Sequence, residues 1–445
     1  MAPTHLDTRT ERTTATFACA AMLVSYLPFS AVNGVLGTIG GTTSDLQWVA
    51  AAFTAALVAT VLSGGVLGDL HGRRRVALIG LALTVTCTVV GFLAGDLIPV
   101  LWLGQAAGGL GAGLVMSSTL ALIAARTRAI AAWAASNVVG LGAGPFLSGV
   151  ITEHADWHWL YPPITVLAIT VMVLGATRAQ ESSAPEGRSP DWPGQLTSAA
   201  GIVALVYGVI TGGSTGWTSP QALIGLTTGV AFLTTFVLIE HHSTAPLLRP
   251  TLFTSRGFTA AGLSAMVVLF TIVGIVFVLS LFFAHQHVTA LGIAVRLACL
   301  FGGNAAASLT AAHLQTRFSP RAVLIAGPLV AAAGLTTLLT TTDTTTLTGF
   351  AGPLLLTGAG CGLVIATSTA VAVHSVPRDH SGMAGAANNA LRQLGGALGA
   401  AVVGVIFATT AHTSYTNALH TCAISLAALL VLTATTTHFL TRENT

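Results

Sequence analysis

The sequence predicts an all-α polytopic membrane protein of fourteen spans, from composition, run length and run texture. Of its 445 residues, 53% are hydrophobic and 7% charged, against about 25% charged in an ordinary soluble domain, and mean hydropathy is +0.81. A soluble fold with so few charges could not cover its surface. Uncharged apolar runs of roughly 20 residues, enough to cross a bilayer core of about 30 Å, recur along the chain. Runs such as "VALIGLALTVTCTVVGFLAG" are continuously apolar, where a membrane β-strand would alternate over about ten residues.

Charge, proline and glycine clusters separate the runs. Residues 1–15 are polar and of mixed charge, with no small-residue cleavage signal after them, and read as a cytoplasmic N-terminal tail. The first span lies near 16–39; Asp45 opens the second, near 46–67, and "GVLGDLHGRRRV" closes it. The third, near 76–95, ends at Asp96; the fourth, near 99–125, at Arg126 and Arg128; the fifth, near 129–152, at Glu153; the sixth, near 159–177, at Arg178. The most polar interior stretch, "RAQESSAPEGRSPDWPG", is a cytoplasmic linker over 178–193. Spans near 194–213 and 221–239 form an extra pair, 194–239, followed by a cytoplasmic loop at 240–257. Six more, near 258–283, 290–312, 321–340, 346–373, 382–411 and 417–440, leave a tail at 441–445. The extra pair thus separates six-span bundles at 16–177 and 258–440.

The 17 basic residues are all arginine, and the net charge is only +3, so no nucleic-acid surface is expected. Arg9, Arg12, Arg73 to Arg75, Arg126, Arg128, Arg178, Arg188, Arg249, Arg256, Arg317, Arg321, Arg378 and Arg442 all fall on one side. Asp45, Asp96, Glu153, Asp156 and Asp343 fall on the other. The positive-inside rule makes the arginine side, with both termini, cytoplasmic. The five cysteines are scattered in apolar segments without metal or disulfide spacing and read as packing residues.

An internal repeat follows from "LGDLHGRRRVAL" after the second span and "LQTRFSPRAVLI" after the tenth: with Leu67 on Leu314, Arg74 falls on Arg321 and Val76 on Val323. Two repeated halves around a central pathway are a transporter architecture. The set Gly65, Leu67, Gly68, Asp69, Gly72, Arg73 and Arg74 resembles the cytoplasmic loop motif of the major facilitator superfamily. Its glycines allow tight turning, and its Asp and Arg allow contacts that break and remake as halves rock. "GLGAGPFLSG", with Gly140, Gly142, Gly144, Pro145 and Gly149, is similar to the Gly-Pro motif of the fourteen-helix drug:proton antiporter branch, which the resemblance associates with export. "DWHWLYPP" resembles that branch's Trp-Arg-Trp segment with His158 in place of Arg; "DLQWVAAAF" and "NNALRQLGGALG" resemble its second and thirteenth helices. The resemblance implies a major facilitator fold: two six-helix bundles plus two central helices.

Against the family pattern, Pro28 stands where a membrane Asp is usual, Gln105 where an Arg is assigned to proton transfer, and Thr316 where the second loop motif has Asp. No Asp or Glu falls in a span core, so Glu153, just after the Gly-Pro motif, is the proton-coupling candidate. Histidine could substitute, including His285 and His287, but no third metal ligand accompanies that pair. Arg296 and Arg392 lie within spans; Arg296 can snorkel to an interface, while Asn388, Asn389 and Arg392 share a broad helical face that lines a pathway or pins two helices.

The expected function is export of a small amphiphilic drug or natural product by alternating access, with protons as counter-ion, across a bacterial cell membrane. The expected lining is Asn33, Gln105, Asn137, Asn304, Asn388, Arg392 and Gln393. Arginine without acids favours a neutral or anionic substrate. The alternatives are a gradient-independent facilitator and a non-transporting sensor or scaffold derived from a transporter. No catalytic constellation or phosphate loop is present in the spans, so neither enzyme activity, a cofactor nor direct ATP driving is expected. A monomer is expected.

Overall fold

The computed structural model describes residues 5–94, 97–124, 127–184, 191–243, 246–342, 345–377, 381–412 and 414–442. Asp96, Arg126, Arg188, Asp343 and Arg378, used above to orient the loops, lie outside them. Fourteen helices in the described residues are long and apolar enough to cross a membrane. The first bundle comprises α1 (His5–Gly34), α2 (Thr43–His71), α3 (Arg73–Leu93), α4 (Ile98–Ile123), α5 (Thr127–Thr152) and α6 (Tyr161–Arg178). The extra pair is α7 (Trp192–Thr215) and α8 (Pro220–His242). The second bundle comprises α9 (Arg256–His285), α10 (Ala290–Phe318), α11 (Pro320–Thr337), α12 (Leu347–His374), α13 (Ser381–Ala411) and α14 (Tyr415–Leu440).

The polar N-terminal segment differs from the expected separate tail, because α1 already starts at His5. Thr13 Oγ1 donates to Arg178 O at 3.2 Å, and Gln180 N–H donates to Thr14 Oγ1 at 3.0 Å. These bonds fix the start of α1 to the end of α6, which gives a polar first turn tertiary support. At its other end α1 stops at Gly34; a single turn, Leu36–Ile39, and Gly40 and Gly41 at φ 78° and 90° lead to α2. A capping box starts α2: Asp45 N–H donates to Thr42 Oγ1 at 3.2 Å, while Asp45 Oδ2 accepts Thr42 N–H at 2.9 Å.

The two bundles repeat the same packing. In the first, α4 lies against α2 and α3, and α1 against α5; in the second, α12 lies against α10 and α11, and α9 against α13. Backbones touch where α3 meets α4, so a Cβ on Gly80 would strike Gly111 O and one on Gly111 would strike Gly80 O. Gly327 and Gly360 repeat that reciprocal contact between α11 and α12. Small residues permit such close approach, which dispersion rewards where lipid offers no hydrophobic drive between helices. The bundles meet through α2 with α13 and α5 with α10, and α7 packs on both α2 and α13.

Candidate functional site: a cavity between the bundles

Midway along the helices, the bundles enclose about 920 Å³ of empty space, counting its mouth. Its walls are mostly apolar, with Phe29, Leu57, Leu141, Ile272, Val276 and Phe301 from both bundles. Asn33, Asn137, Asn304, Arg392 and Gln393 interrupt that surface. A large apolar pocket with a few converging polar groups is the form a small-molecule site takes. Asn33 Nδ2 donates to Phe29 O at 2.7 Å, leaving Asn33 Oδ1 buried without a partner, and Asn137 Nδ2 is likewise unpartnered. Buried polar atoms normally find partners, and here a bound molecule can supply them.

A hydrogen-bond network joins the bundles beside the cavity. Gln393 Nε2 on α13 donates to Tyr26 Oη on α1 at 2.6 Å, and Tyr26 Oη donates to Met116 Sδ on α4 at 3.3 Å. Asn389 Nδ2 also reaches Met116 Sδ, at 3.5 Å, and Arg392 Nη2 donates to Asn389 Oδ1. Among the described residues, Arg392 is the one charged residue lining the cavity, and no carboxylate pairs with it.

At the end remote from Arg73 the bundles are closed. A Cβ on Gly37 would strike Ala284 Cβ, one on Gly149 would stand 2.7 Å from Leu291 Cα, and Gln47 Nε2 donates to Ala401 O at 3.0 Å. Among the described residues, hydrogen bonds between α1–α6 and α9–α14 fall there or at the cavity, and none toward the arginine end.

The arginine loop is built within the first bundle. Gly72, at φ 101°, makes the turn from α2 to α3, and Arg73 binds Asp69 at 2.8 Å while Arg73 Nη1 donates to Ala121 O at 3.2 Å. The first N–H groups of α3 have no partners inside their helix, and the linker supplies them. Arg73 N–H donates to Ser182 O at 2.9 Å; Glu181 accepts Arg74 N–H at 2.8 Å and Arg75 N–H at 3.2 Å. A carboxylate at a helix N-terminus also complements the macrodipole. A Cβ on Gly72 would stand 2.8 Å from Glu181 Cδ, whereas Gly65 faces open space and makes no close approach.

Five of the seven expected lining residues face the cavity; Gln105 and Asn388 do not. Gln105 is fully buried on α4 within the first bundle. Asn388, also fully buried, donates to Thr369 Oγ1 at 3.3 Å and so pins α13 to α12. Arg296 lies outside the lining: its guanidinium sits 5.2 Å from the Phe283 ring centroid and donates to Gly292 O at 3.0 Å. Glu153 is exposed at the end of α5, away from the cavity. Gly140 and Gly144 press on the α1 backbone at Leu23 and Ser30, and Gly395 and Gly399 of α13 press likewise on Met266 and Phe270 of α9. Sequence reasoning passed over Tyr26 and Glu181. The signal for Glu181 was an acid in a stretch read only as a tether.

These features are those of a two-bundle membrane transporter, and comparison with known proteins specifies its family. The family model described as Major Facilitator Superfamily matches residues 14–400 and 261–443, and the chain belongs to that superfamily. It falls in the branch of multidrug and antibiotic exporters. The chain is 31% identical over 373 residues to a "Multidrug resistance protein Stp" of Mycobacterium tuberculosis, covering 82% of this chain and 69% of that one. It is 31% identical to the "Puromycin resistance protein pur8" of Streptomyces alboniger, covering 87% and 80%, and 30% identical to the "Cephamycin export protein CmcT" of Amycolatopsis lactamdurans, covering 89% and 85%. Among solved structures, the inward-open xylose transporter XylE from E. coli superposes with TM-score 0.64 at 15% identity, over 98% of this chain and 97% of that one. That likeness concerns the fold alone.

Proposed function

We propose that this protein exports a small amphiphilic molecule, neutral or anionic, by alternating access in exchange for protons. The observation that carries the reading is the apolar cavity between two repeated bundles, with unpartnered amide groups and Arg392 as its charged lining residue. The relatives' names, which concern puromycin, cephamycin and multidrug resistance, support an antibiotic-like natural product as cargo. With the arginine end cytoplasmic by the positive-inside rule, the closed end faces outward and the cavity loads from inside a bacterial cell. The protein acts as a monomer and performs no covalent chemistry.

The test is uptake of an amphiphilic dye or antibiotic into inverted vesicles, with and without an imposed proton gradient. Gradient-driven accumulation is expected. Flux indifferent to the gradient would instead favour a facilitator, a reading supported by the absence of Asp, Glu and His from the described lining. No flux of any amphiphile, despite normal insertion, would favour a transporter-derived sensor or scaffold.

A further inference from the structure

Two buried carboxyl groups meet away from the cavity, where α7 begins and α8 ends. Asp191 caps α7, its Oδ1 accepting Gly194 N–H at 2.8 Å, and Glu240 in the last turn of α8 accepts Leu248 N–H through Oε2 at 2.9 Å. The two residues are 8% and 3% exposed. Asp191 Oδ2 and Glu240 Oε1 remain, both buried and without a hydrogen-bond partner. They converge on one point: a Cβ on Gly194 would stand 3.0 Å from Asp191 Oδ2 and 2.8 Å from Glu240 Oε1.

Among the described residues, no neighbouring charge forms an ion pair with either group. His241 and His242 follow Glu240 on α8 and are exposed, and Arg249 and Arg256, between α8 and the start of α9, are exposed as well. From α2, against which α7 packs, Asp69 is bound to Arg73 and His71 is exposed; from α13, Arg392 lines the cavity. Two ionised carboxylates held this way would repel one another without water to screen them. A single proton relieves the arrangement: it neutralises one of the two groups and so removes their mutual repulsion.

We propose that Asp191 and Glu240 form a one-proton site at the base of the extra helix pair. Its role in transport rests on the antiport reading, since an exchanged proton has no acid or histidine to hold it in the described cavity lining. The location suits coupling. Ile202, Val206 and Ile210 of α7 pack in one cluster with Ala51, Ala55 and Val58 of α2 and Ala397 and Ala401 of α13. Charge gained or lost at the base of α7 therefore acts on a helix that touches both bundles where they meet.

The experiment is infrared spectroscopy of the full chain in liposomes, reading the carbonyl stretch of a protonated carboxylic acid. Near-isosteric Glu240→Gln and Asp191→Asn are compared with the parent; Asn preserves a cap acceptor. The parent should show the band at neutral pH and lose it in alkaline buffer, and each variant should lack it. No band in the parent at neutral pH, or one surviving in both variants, would overturn the site. Loss of the band when sodium replaces choline at constant pH would overturn the proton assignment in favour of a metal ion. Parallel flux assays keep the two readings distinct. Gradient-independent flux in a parent that shows the expected band refutes antiport and leaves the site standing. Undiminished gradient-driven flux in Glu240→Gln refutes the site's role in coupling.

Discussion

Arg392 brings to the cavity a charge that no carboxylate among the described residues answers; its near partner is the neutral amide of Asn389. A hydrogen bond to a charged group contributes about 1.5–3 kcal/mol. Arg392→Gln should therefore weaken apparent affinity for an anionic cargo by roughly ten- to a hundredfold, with a much smaller effect on a neutral cargo. Concentration dependence of vesicle uptake for a matched acid and ester pair checks this, and equal losses for both would refute the charge-recognition role. Tyr26→Phe removes the acceptor that Gln393 Nε2 meets at 2.6 Å, leaving that buried amide only its weak contact to Met116 Sδ at 3.8 Å, at a cost of about 1–3 kcal/mol. Reduced thermal stability in detergent should follow, and the Gln393→Leu change made alongside it should recover part of the loss. The polar members of the site were legible because an Asn or Arg within an apolar span needs a reason to be there. Tyr26 and Phe301 were not, since lipid-facing and cavity-facing positions are apolar alike and periodicity carries no contrast. For the same reason nothing in the sequence distinguished Gln393, which meets the cavity, from Asn388, which pins α13 to α12.

Helix boundaries were far more legible than helix faces, because charged residues and Gly or Pro clusters punctuate nearly every span. The exception at α1 arises from Thr13 and Thr14, whose bonds to the end of α6 extend the helix through polar residues. The linker holds another case in which tertiary contact decides local structure: Glu181 caps a helix over a hundred residues earlier in the chain, |i−j| being 107 for its bond to Arg74 N–H. Replacing it by alanine should cost about 1 kcal/mol at the start of α3. Amide exchange of Arg74 and Arg75 should then accelerate about fivefold, read by hydrogen-exchange mass spectrometry, while peptides from α11 stay unchanged. Unaltered exchange at α3 would show that water replaces the carboxylate without loss. The reciprocal contacts at Gly80 and Gly111 make a sharper element-scale case. Gly111→Ala places a methyl against Gly80 O, between two backbones that cannot yield as a flexible side chain would, so overpacking of about 1–3 kcal/mol is expected.

At the scale of the whole molecule, the alignment of Leu67 with Leu314 anticipated a repeat that the packing expresses in full, down to Gly80 with Gly111 and Gly327 with Gly360. Each bundle is thus locked internally by backbone contact, while the bundles meet mainly through α2 with α13 and α5 with α10. Such an arrangement moves most easily as two rigid bodies turning about the shared interface. For the end remote from Arg73 to open, Gly37 must leave Ala284, and Gln47 must release Ala401 O. A Cys pair at Gly37 and Ala284, in a chain whose five native cysteines are replaced, tests that requirement directly. The Gly37 Cβ position falls closer to Ala284 Cβ than the roughly 3.5–4.5 Å of a disulfide, so the two segments must part slightly for the bridge to form, and the bridge then holds them together. Oxidation should abolish flux and reductant should restore it. A cysteine at Asn304 should stay reactive toward a polar thiol reagent added from the arginine side of the oxidised protein, because the cross-link fixes the closed end without blocking the other. Undiminished flux through the cross-linked chain would mean that cargo leaves without separation of α1 from α9, and the rocking of the two bundles would have to be abandoned.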